Sequence, residues 1–260
     1  MTLLLVIRRR APDGGYFHDG DRAAGVFGVL ATGFAITVGF VVFLAFESFD
    51  ASRSGAEAEA VLVAQQLETA QLLPARSRPA LDGALVCYAR YVVGTEWPLM
   101  EDGRADEVPN PWGVALFRAI RRVDARTALE QAALGKWLDQ TADREQARQD
   151  RIHGAEGVIP TPLWGVLLFG AAVIFVYMLF FADSGERAVV QALQIGSVVA
   201  VLGLTLSVIG FLNRPYGSGA GGLAPTAMER TLALAGRELR IVGADITPPC
   251  DADGRPAAGR

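Results

Sequence analysis

Two aromatic and two acidic residues near the end of an apolar stretch have the spacing of an ion pathway. Intervals of three, four and three residues, which keep side chains on one face of a helix, separate Phe40, Phe43, Glu47 and Asp50. Apolar rings can form a constriction that gates by dewetting, and rings of carboxylates select ions. The pattern predicts a hydrophobic constriction that opens into an acidic mouth. The alternative interpretation is a pair of core aromatic residues followed by solvated acids, with Asp50 capping the next helix.

Three apolar stretches dominate the chain, and the aromatic pair lies at the end of the first. They cover residues 26–46, 163–181 and 189–212, and none has a charged residue in its interior. Each is close to the roughly 20 residues that a helix needs to cross ~30 Å of hydrocarbon. The sequence therefore predicts an all-α integral membrane protein with three full transmembrane helices, at 26–46, 162–181 and 189–212. The lipid bilayer is its first partner.

A polar segment at 47–161 separates the first and second spans and is predicted to be an extramembrane block of helices. Its apolar periodicity, prolines and capping residues place these helices at 52–73, 78–97, 111–123 and 126–152. Within the block, Glu96 can pair with an arginine, which would give it a structural role.

The remaining segments are short or poor in apolar residues. Residues 182–188 form a turn, and residues 213–260 form a tail that is predicted to be disordered after about residue 248. Residues 1–25 are interpreted as the remnant of a membrane helix followed by a basic loop, because the seven apolar residues before Arg8 are too few to span a bilayer. A short interfacial segment is the alternative.

Small residues recur at helical spacing in two of the spans. The first span carries Gly28, Ala35 and Gly39, and the last carries a longer seam of Gly196, Ala200, Gly203, Ser207 and Gly210. Small side chains let helix backbones approach closely, and this contact drives helix association in lipid. Such a seam packs against another helix of the same chain, packs against a second subunit, or lines a pore.

Composition argues against several functions. The net charge of −4 provides no basic field for nucleic acid. The two cysteines form no CxxC motif, so no metal site or cofactor is expected, and a Cys87–Cys250 disulfide requires an oxidising compartment. No nucleophile–base pair suggests an enzyme. A basic run either binds anionic headgroups or is a solvated face paired with acids: Arg118, Arg121, Arg122 and Arg126.

Several short motifs, taken in order over roughly residues 20–230, resemble the bacterial bestrophin-like membrane domain, a family of unknown function. They include segments 40–50 (FVVFLAFESFD), 57–60 (EAEA), 88–98 (YARYVVGTEWP), 148–152 and 213–217 (NRPYG). The motif residues are Tyr88, Glu96, Trp97, Pro98, Pro160, Trp164 and Pro215. The family pattern has four spans, and here the first is reduced to residues 1–7.

This resemblance implies a homo-oligomeric anion channel whose pore is lined by the span at 26–46. Glu47 and Asp50 would repel anions if they faced that pore. The alternative function is a membrane-anchored helical module that binds a partner or lipid without transport.

The side of the membrane occupied by the block is an open question. Four arginines in a short loop, Arg8, Arg9, Arg10 and Arg22, favour a cytoplasmic position for residues 8–25 of a multi-pass plasma-membrane protein. The block at 47–161 would then lie outside the cytoplasm, whereas the bestrophin resemblance implies a cytoplasmic block. The charge rule favours the extracytoplasmic side.

Overall fold

The computed structural model describes residues 16–104, 109–183, 185–217, 219, 221–241 and 247–257, with the backbone alone at 238–240. The apolar segment at 1–7 lies outside the described residues. Within these ranges the regular structure is helical: α1 Gly20–Ala70, α2 Arg78–Tyr91, a π-helical turn Val92–Glu96, α3 Trp97–Glu101, α4 Pro111–Ile120, α5 Ala128–His153, α6 Thr161–Phe180, α7 Ala188–Leu212 and α8 Thr226–Ile241. The predicted all-α fold class is confirmed.

The chain divides into two compact units. The membrane unit comprises Met1–Glu47 and Val158–Asn213, and the extramembrane unit comprises Ser48–Gly157 and Arg214–Arg260. The tail therefore belongs to the same unit as the helical block, although the sequence pattern separates them.

Helix α1 contains the first span and continues well beyond it. Its 51 residues correspond to about 76 Å at ~1.5 Å per residue. The sequence predicts separate helices at 26–46 and 52–73, but the acids between them mark the end of the apolar stretch and provide no helix stop. Asp50 lies inside the helix, so its predicted capping role is wrong.

The membrane unit is built from the first part of α1 together with α6 and α7, and all three helices are long and apolar enough to cross a membrane. A small cluster of Val41, Ala45, Leu167 and Ile209 holds these helices together. Large apolar side chains elsewhere on the spans are exposed in the single chain, for example Phe169 at 72%. Such exposure is stable where lipid or a neighbouring copy of the chain, rather than water, covers the helices.

The extramembrane unit has its own core, which includes Leu81, Leu85, Tyr88 and Trp137. Helix α1 approaches α5 closely at Gly55, where an added Cβ would lie 2.6 Å from the backbone nitrogen of Arg151. Helix α5 begins with a capping box formed by Thr127 and Glu130. The second predicted helix does not end near Trp97: α2 passes through the π-helical turn into α3, with Pro98 tolerated in the first turn.

The tail is ordered over 247–257, contrary to the predicted disorder. A Cys87–Cys250 disulfide joins it to α2 across a sequence separation of 163 residues. Trp112 Nε1 donates a 2.6 Å hydrogen bond to the Gly254 carbonyl, and Thr95 donates one of 3.1 Å to the Asp253 carbonyl. Few apolar residues are needed here because a covalent bond and side-chain donors hold the segment.

Candidate functional site

The four residues of the predicted ion pathway lie on one uninterrupted helix. Because α1 is continuous from Gly20 to Ala70, the spacing of Phe40, Phe43, Glu47 and Asp50 places them along one helical face. Phe40 is 67% exposed and Phe43 is 61% exposed in the single chain, and both acids are exposed. The two rings are therefore not core residues of a single chain, and their role in a pore stays a prediction.

Most of the small-residue seam of α7 is not covered by other residues of the single chain. A Cβ added at Gly196 or Gly203 would meet no described atom within 4 Å, and Ala200 and Ser207 are exposed. Gly210 is the exception, since its added Cβ would lie 3.8 Å from the Trp164 ring. Helix α7 meets α6 mainly through other residues, Ile195 and Ile209. Packing within the chain thus does not explain most of the seam.

The shorter small-residue seam of α1 is also largely uncovered in the single chain. Gly28 and Gly39 have no described atom within 4 Å of an added Cβ, and Ala35 is exposed. Contact between α1 and α6 instead uses Phe34, whose ring lies against Gly170. For both seams, subunit packing and a pore lining stay predictions.

Residues from several of the family-motif segments meet in one buried cluster of the extramembrane unit, named here the charge cluster: Glu59, Tyr88, Glu96, Arg148 and Arg151. Arg151 Nε and Nη2 both donate to Glu59, the second at 3.1 Å, and Nη2 also donates to Glu96 at 2.5 Å. Arg148 Nη2 donates to the other Glu96 oxygen at 3.0 Å. The predicted pairing of Glu96 with an arginine is confirmed.

Aromatic side chains enclose this cluster. The Tyr88 hydroxyl donates to Glu59 at 2.5 Å, and the Tyr216 hydroxyl donates to the Arg151 carbonyl at 2.5 Å. The Trp97 and Tyr216 rings meet edge to face, with centroids 5.3 Å apart. Pro215, just before Tyr216, is buried. Tyr216 thus packs against the cluster within the extramembrane unit.

The electrostatics of the cluster are balanced, since two carboxylates face two guanidinium groups. Burial alone would raise the pKa of Glu96, but Arg151 and Arg148 together outweigh it and lower that pKa. Burial and the neighbouring Glu59 carboxylate raise the pKa of Tyr88 well above its ordinary value. Glu96 therefore stays charged at neutral pH, with Tyr88 a neutral donor, and the geometry of the cluster suits a fixed structural joint rather than proton transfer.

Sequence reasoning identifies Glu59, Arg148 and Arg151 only as parts of motifs. On α5, the large apolar side chains of Leu129 and Leu138 are 60% and 51% exposed. The buried face follows another register, at intervals of three and four residues: Ala133, Trp137, Gln140, Arg144, Ala147 and Arg151. The sequence signal for this buried face is the spacing of its polar residues, which lie three or four residues apart and share one side of the helix with Trp137.

The other motif residues lie in the membrane unit. Pro160 is the residue before the first turn of α6, and Trp164 packs in the small cluster with Leu167 and Ile209. The Asn213 side chain accepts two hydrogen bonds of 2.9 Å from the backbone N–H groups of Val158 and Ile159. These contacts fix the ends of α6 and α7. Within the described ranges, no group of three His, Cys, Asp or Glu residues is placed to hold a metal ion.

One buried acid, Asp82 on α2, lies outside the charge cluster. It is 1% exposed, and Gln71 Nε2 donates to one of its oxygens at 3.1 Å. Burial raises its pKa to about 6, although the Gln71 hydrogen bond and the charge of Arg78 oppose the shift. A carboxyl whose folded pKa exceeds its unfolded value stabilises the fold when protonated, so its contribution is lost as pH rises through about 4 to 6.

We expect Asp82→Asn to raise the melting temperature at pH 7.5 and to flatten its pH dependence between pH 4.5 and 7.5. The amide keeps a hydrogen-bond acceptor without a buried charge, and the difference is at most on the order of 3 kcal/mol. Thermal unfolding of the detergent-purified chain across this pH range measures it. Asp143→Asn, at an exposed position of α5, is the matched control. Equal pH profiles for the wild type and Asp82→Asn would contradict the assignment.

Comparison with known proteins agrees with this architecture. The family model of the Bestrophin-like domain matches residues 1–227. No curated protein matches the sequence. Among solved structures, a variant of the bacterial bestrophin homologue from Klebsiella pneumoniae is similar, with a TM-score of 0.64 and 16% identity over 84% of this chain and 87% of that chain.

Two further solved structures are equally similar. The Klebsiella pneumoniae homologue solved by zinc anomalous phasing gives a TM-score of 0.63 at 16% identity, over 84% of this chain and 87% of that chain. A crystal structure described as that of a membrane protein gives the same four values. This likeness shows a shared fold. Because the family model covers most of the chain, the protein belongs to the Bestrophin-like family of membrane proteins.

Proposed function

We propose that this protein is a homo-oligomeric anion channel of the plasma membrane, with the membrane-spanning part of α1 lining the pore. The observation that carries the proposal is the family match over residues 1–227, because bestrophins are anion channels. Fold alone does not determine function, so the proposal also depends on the residues that α1 presents.

The exposed features of the membrane unit support assembly of several copies. Phe40 and Phe43 form an apolar ridge on α1, and the open seam at Gly196 and Gly203 gives α7 a smooth face that suits a neighbouring helix. In an oligomer, a ring of phenylalanines would form a constriction that gates by dewetting. Glu47 and Asp50 would make one mouth acidic and lower anion conduction.

The disulfide supports an extracytoplasmic position for the extramembrane unit. Cys87 and Cys250 are separated by two spans, α6 and α7, and therefore lie on the same side of the membrane. Structural disulfides persist in oxidising compartments and are rare in the cytoplasm. The arginines at 8–10 and Arg22 favour the same orientation, with the loop before α1 in the cytoplasm.

We expect Phe40→Ala to increase anion flux severalfold, because removal of the ring widens and hydrates the constriction. The measurement is chloride efflux from liposomes that contain purified protein whose oligomeric state has been verified. Glu47→Gln should also increase chloride flux, since it removes a negative charge from the proposed mouth.

Phe169→Ala is the matched control, because Phe169 is equally exposed but lies on α6. Its flux should equal that of the wild type. Absence of flux from a verified wild-type oligomer under any gradient would contradict the channel function. Equal effects of Phe40→Ala and Phe169→Ala would contradict the assignment of α1 as the pore helix.

A further inference from the structure

A groove of about 770 Å³ lies in the extramembrane unit between α1 and the segment that leads into α8. Phe49, Val61 and Leu223 contribute apolar lining, and Arg53, Glu57 and Arg230 contribute its charged groups. Its size is in the range of small-molecule sites, which combine an apolar surface with a few polar contacts. None of these residues belongs to the charge cluster.

The groove carries an excess of positive charge. Arg53 Nε lies 3.2 Å from Glu57 Oε1, but both side chains are about 60% exposed, so this pair is weak. Among the described residues, no acidic side chain lies within ion-pair distance of Arg230. Glu229 is exposed in the first turn of α8 but does not line the groove. Two guanidinium groups and one carboxylate favour a ligand with a negative charge.

The position of Arg53 along α1 places this charge near the membrane surface. The apolar stretch ends at residue 46 of a continuous helix, so Arg53 follows it by about 10 Å at ~1.5 Å per residue. The headgroup layer extends roughly 5–8 Å beyond the hydrocarbon on each side. A long arginine side chain can bridge the remaining distance toward the headgroups. Phe49 lies between this arginine and the apolar stretch.

We propose that this groove binds the phosphate headgroup of an anionic phospholipid, with Arg53 and Arg230 as the cationic contacts and Phe49 beside the glycerol region. Guanidinium groups suit phosphate because their planar N–H groups donate to two oxygens at once. Glu57 opposes binding, since it competes for Arg53. The site acts independently of ion conduction, so it holds whether or not the protein is a channel.

The test uses the purified full chain in detergent, titrated with short-chain phosphatidylglycerol or phosphatidylcholine and followed by native mass spectrometry. Phosphatidylglycerol should bind more tightly. Arg53→Gln and Arg230→Gln should each weaken its binding about fivefold, the effect expected of one arginine near anionic lipid. Glu57→Gln should strengthen binding, because it releases Arg53.

Two variants distinguish binding in the groove from attraction of lipid to the protein surface as a whole. Val61→Trp fills the groove without a change of charge and should abolish preferential binding while the circular dichroism spectrum and melting temperature stay at wild-type values. Lys136→Gln removes one positive charge from an exposed site on α5, outside the groove, and should bind lipid as the wild type does.

Four results would overturn the proposal. An equal loss of phosphatidylglycerol binding in Lys136→Gln would indicate diffuse electrostatic attraction. Equal binding of phosphatidylglycerol and phosphatidylcholine would show that the negative charge of the lipid does not contribute to binding. Inorganic phosphate that binds with the same dependence on Arg53 and Arg230 would indicate a free-anion site. Dissociation of the oligomer by Val61→Trp would indicate that a second copy of the chain covers the groove.

Discussion

Replacement of Arg151 by methionine is expected to lower the melting temperature of the purified protein by roughly 6–20 °C. Arg151 is fully buried and pairs with Glu59 and Glu96, which are 0% and 3% exposed at the side chain. Methionine fills similar space but leaves two buried carboxylates with one guanidinium. Breaking such a buried pair costs about 3–5 kcal/mol, and each kcal/mol shifts the melting temperature by roughly 2–4 °C in a chain of this size.

The control for Arg151→Met is an exposed ion pair of the same unit. Arg126 Nη2 lies 2.6 Å from Asp124 Oδ2, but their side chains are 77% and 49% exposed. Arg126→Gln should therefore leave the melting temperature close to that of the wild type. Arg151→Lys keeps the charge but loses the two-point contact with Glu59. Its shift in melting temperature should lie between those of Arg151→Met and Arg126→Gln. Thermal unfolding followed by circular dichroism measures all three variants. Equal shifts for Arg151→Met and Arg126→Gln would mean that the charge cluster does not stabilise the fold.

Loss of the Cys87–Cys250 disulfide is expected to destabilise the extramembrane unit by about 2–5 kcal/mol. The bond closes a loop with a sequence separation of 163 residues, and a longer loop restricts the unfolded chain more strongly. Cys250→Ala should melt at a lower temperature than the wild type. Reduction should lower the melting temperature of the wild type and leave that of Cys250→Ala unchanged.

Thiol labelling tests whether the bond exists in the cell. Protein extracted from membranes and denatured without reductant should accept no maleimide, and reduction should expose both thiols. Two labelled thiols before reduction would contradict both the disulfide and the extracytoplasmic orientation that it supports. The Cys250→Ala variant, with one thiol, calibrates the labelling.

The three spans can be predicted from sequence because lipid demands long uncharged helices, and this signal is local. The length of α1 is not predicted, and the reason is again local. Glu47 and Asp50 end the apolar pattern where the helix leaves the lipid, and the loss of that pattern resembles the end of a helix. Between residues 47 and 70 the sequence is rich in alanine and glutamate and contains no proline, so the helix continues.

The charge cluster is only partly predictable. Tyr88, Glu96 and Trp97 belong to a motif that draws attention, but the partner of Glu59 is 92 residues away on α5. No local pattern specifies such a pair, because it depends on how α1 packs on α5 at Gly55. The structure of the tail is not predicted for the same reason, because Cys250 is held by Cys87 of α2, which is far from it in the sequence.

The disulfide also makes much of the polypeptide a closed ring that contains the hairpin of α6 and α7. A single cut by a protease at any bond between residues 88 and 249 leaves the two fragments joined through sulfur. A nicked molecule would therefore migrate as one band on a non-reducing gel and as two bands after reduction. Cleavage in an exposed loop of the ring need not release either fragment from the membrane.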